Sequence, residues 1–414
     1  MTENILTQEL VRSSSLDKLS IISEDLLIPY TGIGENAFRS CHKLTEIHIP
    51  KTITTIGRSA FLDCKALKVI TVSDENLEFS SIDGVLFSRD KKTLICYPPN
   101  KIVKVYYIPD GVVTIATEAF YNVSSLISIN DLECQVPWGF NKNNLMNLII
   151  PNTLKSIGKK SFAFCKSLIS VHLPESITHI GPGAFNSCIN LSKLHISQGV
   201  TNIGKYAFVF CSKLNEINIP DSVISLGEGA FAVCNKLESV KIGKGVTVLS
   251  KELFVECVSL KDIDIHENID TIGESAFQKC SALISVLIPG NVKAIMDAAF
   301  ACCDSLNNLV LNEGIISIGA SAFSDCSLIK SITIPNTVSK IDDCAFSNCD
   351  MLQTATIGRG VKTIGYKIFN NCKAINKISY NGTMEELKEV KVKRSFLVTI
   401  LPVKCIDGES KILV

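Results

Sequence analysis

Apolar and polar positions along this chain follow a fixed period of 23 residues over more than half of its 414 residues. A phenylalanine marks each period, and a cysteine follows it by three places, as Cys41 follows Phe38 and Cys372 follows Phe369. A period of roughly 20 to 29 residues is typical of a solenoid, in which each repeat forms one coil. The sequence therefore predicts a stack of similar coils. The repeat phenylalanines are Phe38, Phe61, Phe162, Phe185, Phe208, Phe231, Phe254, Phe277, Phe300, Phe323, Phe346 and Phe369.

Within one coil, the spacing of apolar residues changes from strand-like to helical. Ile47 and Ile49 stand two apart, which predicts a strand with one face inward. Pro50 ends that strand, because proline has no N–H to donate to the ladder. Phe61 and Cys64 then follow at the spacing of a short helix or 3₁₀ turn on the convex side. One coil cannot bury both of its faces, so stacking has to supply the core.

The 23-residue register breaks in two places. Phe61 and Phe120 are 59 residues apart, and the segments 85–88 and 93–97 between them predict a β-hairpin that projects from the stack, within an insertion at about 73–108. Phe120 and Phe162 are 42 residues apart, which predicts an irregular coil at about 124–150 that contains Trp138 and Phe140. An insertion on a rigid scaffold is a common place for function, although a decorated structural repeat is the simpler interpretation.

The chain ends are predicted to cap the stack, since open solenoid ends expose sheet edges. We divide the chain into an N-terminal cap at 1–30, a solenoid at 31–380 and a C-terminal cap at 381–414. Thr2 can cap a short helix near the start of the chain. Thr383 and Glu386 have the spacing of a capping box that opens a helix near the end.

The repeat motifs I-x-I-P, I-G-x-x-A-F and F-x-x-C, which residues 47–64 contain in full, resemble the BspA-like leucine-rich repeat. That repeat was first associated with surface proteins of spirochaetes and oral bacteria, and the resemblance covers roughly residues 30–380. It implies a right-handed, curved α/β solenoid with one short parallel strand per coil and short helical or 3₁₀ turns on the convex side. It also implies a non-enzymatic protein whose strand face binds partners.

Composition narrows the classes of partner. Lys plus Arg equals 41 and Asp plus Glu equals 41, so the formal net charge is zero. Nucleic-acid-binding proteins usually carry a basic excess, and we therefore expect no nucleic-acid partner. No run of about 18 apolar residues occurs, so no membrane span is expected. The first residues carry early acids, no basic region and no apolar stretch, so they do not form a secretory signal. Either the protein stays in the cytosol, or a signal was removed, or export uses another route.

Cysteine placement argues against disulfides. Of 17 cysteines, twelve occupy one position of the repeat. Adjacent coils lie about 4.8 Å apart, whereas the Cβ atoms of a disulfide lie about 3.8 Å apart. The repeat thiols are therefore predicted to be buried and unbridged. The remaining cysteines show no CxxC spacing, and no GxSxG, Walker or HExxH motif occurs. We expect no enzymatic activity, no cofactor and no metal site.

The strand face is the candidate partner-binding surface, formed by residues eight and ten places after each repeat phenylalanine. His172 and His195 should stack one coil apart there. The alternatives are a merely solvated strand face, or a metal or redox site that uses these histidines or the thiol ladder. The candidate residues are Ser170, His172, Lys193, His195, Glu216, Asn218, Lys241, Asp262 and Asp264.

These observations predict a monomeric protein-binding scaffold. By family resemblance, the partner is a host or matrix protein, and the chain is a surface or secreted adhesin. The alternative is an intracellular interaction scaffold. The missing signal and the many unpaired cysteines favour that alternative, because free thiols suit a reducing compartment.

Overall fold

The structure is a computed structural model that describes residues 4–135, 146–393 and 400–413. The chain folds as two compact units, Met1–Ser212 (unit 1) and Lys213–Val414 (unit 2). Each unit is a parallel β-solenoid with little helix, as the repeat predicts. The division into two caps and a central solenoid stays a prediction. Thr2, Trp138 and Phe140 lie outside the described residues.

Unit 1 is built from short strands that form two sets, in which neighbours pair in parallel except within β9-β8-β7, where they pair antiparallel. One set runs β2-β4-β6 and β10-β13-β12-β15-β17, and the other runs β1-β3-β5 and β18-β16-β14-β11-β9-β8-β7. The strands are β1 Ile5–Leu6, β2 Ile21–Ile22, β3 Gly32–Ile33, β4 Glu46–Ile49, β5 Thr55–Ile56, β6 Val69–Val72, β7 Phe79–Ile82, β8 Val85–Ser88, β9 Thr93–Cys96, β10 Val105–Tyr107, β11 Thr114–Ile115, β12 Leu126–Ile129, β13 Met146–Ile149, β14 Ser156–Ile157, β15 Ser170–His172, β16 His179–Ile180, β17 Lys193–His195 and β18 Asn202–Ile203.

Unit 2 repeats this plan with fewer irregularities. The pairs β19-β21 and β24-β26 and the sheet β28-β30-β32-β34-β35 carry the longer strands, and β22-β23-β25-β27-β29-β31-β33 carries the two-residue strands. The strands are β19 Glu216–Asn218, β20 Ser225–Leu226, β21 Ser239–Lys241, β22 Val248–Leu249, β23 Thr271–Ile272, β24 Ser285–Ile288, β25 Ala294–Ile295, β26 Asn308–Leu311, β27 Ser317–Ile318, β28 Ser331–Thr333, β29 Lys340–Ile341, β30 Thr354–Ile357, β31 Thr363–Ile364, β32 Lys377–Tyr380, β33 Lys391–Val392, β34 Ile400–Cys405 and β35 Gly408–Leu413.

The repeat phenylalanines form the core of each unit, as predicted. In unit 2, the Phe254 ring lies 5.9 Å from that of Phe231 and 5.6 Å from that of Phe277, in near-parallel stacks, and the Phe254 side chain is fully buried. In unit 1, the Phe162 and Phe185 rings are 5.1 Å apart. One coil spacing separates equivalent residues in a parallel stack, so identical rings meet face to face.

A seven-residue segment surrounds each of these rings. We call it the Phe turn, from four residues before to two residues after the phenylalanine. The sequence predicted a short helix or a 3₁₀ turn here, and the segment consists of hydrogen-bonded turns without a helix. The residues two before and two after the phenylalanine are left-handed, as at Asn36 (φ 58°) and Ser40 (φ 62°) around Phe38. A left-handed residue cannot continue a right-handed helix, so two of them on either side of each phenylalanine prevent one.

Close approach of neighbouring coils explains why glycine is favoured at the start of the Phe turn. A Cβ on Gly181 would lie 2.7 Å from the backbone carbon of Gly158 in the adjacent coil. Ser250, Met296 and Asp342 occupy the same place elsewhere, so glycine is favoured there and not obligatory.

The repeat cysteine is a buried hydrogen-bond donor. The Cys188 Sγ donates to the backbone oxygen of Phe162 at 3.2 Å, and the Cys280 Sγ donates to that of Phe254 at 3.3 Å. Burial raises the pKa of Cys165 to about 12, so the thiol keeps its proton at neutral pH. All 17 cysteines are free. The F-x-x-C motif therefore joins each coil to the preceding phenylalanine, and the prediction of unbridged thiols is confirmed.

The hairpin is present, but it does not project from the stack. Strands β8 and β9 pair antiparallel, as do β7 and β8, so the insertion is a three-stranded meander. Val85, Leu86 and Phe87 are fully buried, and β9 pairs in parallel with β11. The prediction of a projecting hairpin is wrong, because its apolar residues replace part of a coil instead of decorating one.

Helices lie near the two chain ends. In unit 1 they are α1 Gln8–Ser13, the 3₁₀ helix Leu16–Lys18 and α2 Glu24–Leu27; in unit 2, α3 is Met384–Glu389. Thr7 caps α1 by accepting a hydrogen bond from the Leu10 N–H, a role predicted for Thr2. Thr383 and Glu386 form the predicted capping box of α3.

Candidate protein-binding surfaces

The strand face of unit 1 is defined by His172, Lys193 and His195, whose side chains are all exposed. Strands β15 and β17 pair in parallel, with His172 opposite His195. Their ring centroids lie 4.4 Å apart with planes tilted by 39°, so the predicted stacking is confirmed. Period-two alternation aims these side chains outward, while Val171 between them is buried.

His195 is held toward its neutral form. Partial burial, followed by the charge of His172, lowers the pKa of His195, and Glu175 opposes this. A positive charge on His195 is therefore disfavoured, and its ring offers hydrogen-bonding nitrogens in place of a charge. Lys193 supplies the positive charge on this face.

Ser170 does not belong to this exposed surface. The sequence places it in line with Lys193, and β15 pairs the two residues, but Ser170 is buried. Its hydroxyl donates to the Asp131 Oδ2 at 2.5 Å. The segment after β12 folds over the strand, where the Ser128 hydroxyl lies 2.6 Å from the Asp131 backbone oxygen and 2.6 Å from the Asn147 Oδ1. The expectation that Ser170 is exposed is wrong, because this irregular coil supplies its own cover.

The strand face of unit 2 carries the remaining candidates, Glu216, Asn218, Lys241, Asp262 and Asp264, and all five are exposed. Strands β19 and β21 pair with Asn218 opposite Lys241, as the register predicts. The next coil is less regular, since Asp262 forms only an isolated parallel bridge to Ser285. The two aspartates thus lie on an irregular segment between the pairs β19-β21 and β24-β26.

Other lysines in unit 2 are neutralised from coil to coil. Lys261 contacts Glu238 at 2.5 Å, and Lys279 contacts Glu256 at 2.6 Å, each pair spanning 23 residues. Such exposed pairs contribute little to stability, on the order of 0–1 kcal/mol each.

The charged candidate residues on the strand faces are not paired in this way. Within the described residues, Lys193, Lys241, Asp262 and Asp264 form no ion pair. Their charges are therefore open to an external partner.

A cavity in unit 1 was missed by the sequence analysis. It has a volume of about 270 Å³ and lies between the Phe turns 57–63 and 116–122. Ile56 at its edge is half-buried, whereas the equivalent Ile33 and Ile115 are almost fully buried. Phe120 stacks at 4.9 Å on Tyr97, which takes the place of a repeat phenylalanine. The 59-residue interval between Phe61 and Phe120 was the available signal, and it was interpreted as a decoration.

In the described part of the chain, no group of three or more His, Cys, Asp or Glu side chains is arranged to hold a metal ion. None of the helices described has the length and apolarity needed to cross a bilayer.

Comparisons with known proteins identify the family of the repeat. The family described as "BspA type Leucine rich repeat region" matches in six overlapping copies, over residues 11–107, 31–130, 96–208, 137–261, 202–329 and 293–400. No curated protein matches the sequence.

A solved structure shows the same fold. A leucine-rich repeat protein from Bacteroides ovatus is 22% identical, with coverage of 94% of this chain and 92% of that one and a TM-score of 0.55. A leucine-rich cell surface protein from Faecalibacterium prausnitzii is 24% identical, with coverage of 91% and 92% and a TM-score of 0.48.

Proposed function

Because this chain belongs to the BspA-type leucine-rich repeat family, whose fold generally serves as a non-enzymatic scaffold, we propose that it is a surface adhesin that binds a host or matrix protein through its strand faces. The resemblance of the repeat to those of bacterial surface proteins supports the adhesin role.

The observation that carries this proposal is the set of unpaired charges on the strand faces. Lys193 and Lys241 are exposed on regular strands, and Asp262 and Asp264 are exposed on the irregular segment between the pairs β19-β21 and β24-β26. None of the four forms an ion pair within the described residues. Nearby lysines outside the face, such as Lys261, have carboxylate partners in an adjacent coil. Charges without internal partners can pair with those of another protein, which favours a binding role for the face that bears them.

The proposed mechanism is recognition by a preformed surface. Parallel pairing holds the strand-face side chains in place before binding, so less conformational freedom is lost on association. The unit 1 face offers Lys193 and two imidazoles, which suit an acidic or hydrogen-bond-accepting partner. The unit 2 face adds Asp262 and Asp264, which suit a basic patch.

The binding test is a titration of purified chain against a panel of immobilised matrix and host-cell surface proteins, followed by charge reversal. Lys193→Glu and Asp262→Lys are expected to weaken binding about tenfold, or about 1.4 kcal/mol, without changing the melting temperature. Lys159→Glu and Asp304→Lys are matched controls, exposed and off the strand faces, and are expected to bind like the wild type. Binding that survives both strand-face reversals would rule out these faces as the contact.

The alternative function is an intracellular interaction scaffold, and the 17 free cysteines favour it. Burial and raised pKa values also protect repeat thiols from oxidation, so they are compatible with export as well. Protease treatment of intact cells separates the two functions. Cleavage of the chain on intact cells supports the adhesin; complete protection, with cleavage only after lysis, supports the intracellular scaffold.

A further inference from the structure

Neighbouring Phe turns are joined by three backbone hydrogen bonds. The donors are the N–H groups two before, at and two after the phenylalanine. Asn36 N donates to Arg58 O at 3.0 Å, and Phe38 N donates to Ala60 O at 2.8 Å. Ser40 N completes the set by donating to the next turn at 2.9 Å. Turn 116–122 makes the same three bonds to turn 158–164. In this pattern, each of the three N–H groups of one Phe turn has a carbonyl acceptor in the next turn.

The pattern stops at turn 57–63. The N–H groups of Ser59, Phe61 and Asp63 have no acceptor within the described residues. On the opposite turn, the carbonyl oxygens of Thr117 and Tyr121 have no donor there. One wall of the cavity thus carries free N–H groups, and the other carries free carbonyls. Of these five residues only Phe61 is buried, so the free groups line a cavity that is partly open to solvent, where a ligand can reach them.

The cause is a missing Phe turn. The coil between these walls consists of β8 and β9 and ends in Tyr97, whose N–H donates to the Ala119 oxygen at 2.8 Å, as a repeat phenylalanine would. Pro98 and Pro99 follow, and neither has an N–H. Pro99 stands where the third donor of the turn would be, so the Tyr121 carbonyl stays unpaired.

We call the cavity between the Phe turns 57–63 and 116–122 the gap. Side chains bridge it at its two edges. The Ser59 hydroxyl donates to the Glu118 Oε2 at 2.5 Å, and the Asn122 amide donates to the Asp63 Oδ1 at 3.3 Å. Regular turns touch through their backbones, whereas here whole side chains are needed to reach across. The walls are therefore about two coil spacings apart, roughly 10 Å. The cavity of about 270 Å³ between these bridges has an apolar interior that includes Ile56, Ala60, Phe61, Ile95, Cys96 and Tyr97.

We propose that this gap binds a short extended segment of another polypeptide, two or three residues long, in place of the missing Phe turn. The carbonyls of the segment accept from Ser59, Phe61 and Asp63, and its N–H groups donate to Thr117 and Tyr121. A small apolar side chain fills the interior. Peptide backbone carries donors and acceptors on the same unit, which matches walls of opposite hydrogen-bonding character.

The chemistry of the gap disfavours other ligands. Asp63 and Glu118 place two carboxylates at its edges, against Arg58 and against Lys65, whose Nζ lies 3.7 Å from the Asp63 Oδ1, so the gap offers no excess of positive charge to an anion. Burial, followed by these two carboxylates, raises the pKa of Tyr121. A purely aliphatic ligand would leave the N–H and carbonyl groups unsatisfied. This site lies on the turns and does not use the strand faces.

The first test measures amide hydrogen exchange in the full chain by NMR. The amides of Ser59 and Asp63 are expected to exchange at least tenfold faster than those of Asn36 and Ser40, the equivalent residues of the preceding coil, because only the latter pair is hydrogen-bonded. Equal exchange within the two pairs would show that the donors of the gap are not free and would overturn the proposal.

The second test titrates the full chain with acetyl-Ala-Val-Ala-N-methylamide and follows the same amides. Saturable shifts at Ser59, Phe61 and Asp63, without shifts at Asn36 and Phe38, support the proposal. An analogue methylated on its backbone nitrogens keeps the shape but loses the donors, and is expected to bind at least tenfold more weakly. Equal binding of the analogue, or no shift with the parent peptide, contradicts the proposal.

The third test locates the site with a cavity-filling variant. Ala116 lines the cavity, and Ala116→Leu is expected to weaken peptide binding at least tenfold. The control is Lys159→Leu, which adds the same side chain on the next turn but outside the cavity. Unchanged affinity in folded Ala116→Leu would place the peptide elsewhere and overturn the proposal, whereas strand-face variants are expected to leave peptide binding intact.

Discussion

The regular coils of unit 2 and the interrupted coils of unit 1 use the same Phe turn with different results. Between residues 229 and 348, every Phe turn passes three N–H groups to the next turn, as Glu252, Phe254 and Glu256 do. At residues 57–63, the equivalent groups meet a cavity instead. Removing one turn from a repeating stack thus uncovers backbone that repetition would have paired. In a solenoid, a missing element can create a site as readily as an added one.

The largest expected difference between the regular and the interrupted coils comes from removing one repeat phenylalanine in each of them. Phe254 is fully buried between two stacked rings, so Phe254→Ala is expected to lower the free energy of unfolding by about 3–5 kcal/mol. Phe61 borders the cavity and stacks on Phe38 at 5.9 Å, so Phe61→Ala should cost less. Urea denaturation of both variants measures the difference. An equal or larger cost at Phe61 would contradict the account of an open gap.

A second variant tests whether a left-handed residue strains the backbone of a regular Phe turn. Val233 is left-handed, with φ of 59°, at the position two after its phenylalanine. A β-branched residue is strained in that conformation, whereas asparagine adopts it more easily. Val233→Asn is therefore expected to stabilise unit 2 by about 1 kcal/mol.

Val255→Asn is the matched control for that variant. Val255 is also half-buried, lies one coil further on and is not left-handed. It is expected to gain no stability when changed to asparagine. A similar gain in both variants, in thermal or urea unfolding, would attribute the effect to surface polarity and not to backbone strain.

The smallest expected effect concerns the strand face of unit 1. The pKa of His195 is lowered in the folded chain, first by partial burial and then by His172. The folded chain therefore binds the proton less readily than the unfolded chain. Its relative stability falls as the pH drops through the ordinary histidine pKa of about 6.5, and the loss is complete below the lowered value.

NMR titration of the imidazoles checks this sign. His195 is expected to titrate below about 6.5, and His172→Gln should move its pKa upward, though not fully, because burial remains. A His195 pKa above 6.5, or no response to His172→Gln, would refute the assignment of these causes.

Much of the fold and part of the candidate surface were predictable from spacing alone. The burial and stacking of Phe254, the pairing of His172 with His195 and the free buried thiols all follow from a side chain that recurs at one distance along a parallel stack. The cover over Ser170 was not predictable, because Asp131 reaches it from 39 residues away in an irregular coil. The left-handed residues of the Phe turn were missed as well, because serine, lysine, glutamate and valine all occupy those positions.

The sequence by itself determined the period, the buried ladder of phenylalanines and cysteines and the outward-facing strand positions, because each depends on contacts between identical places in neighbouring repeats. Only the tertiary structure decided where that repetition fails. Tyr97 occupies a phenylalanine position inside an antiparallel meander, and β13 lies between β10 and β12 although β12 precedes it in the chain. These placements depend on competition between distant segments for the same neighbours, and no local pattern encodes the outcome. The free N–H groups of Ser59, Phe61 and Asp63 result from these placements.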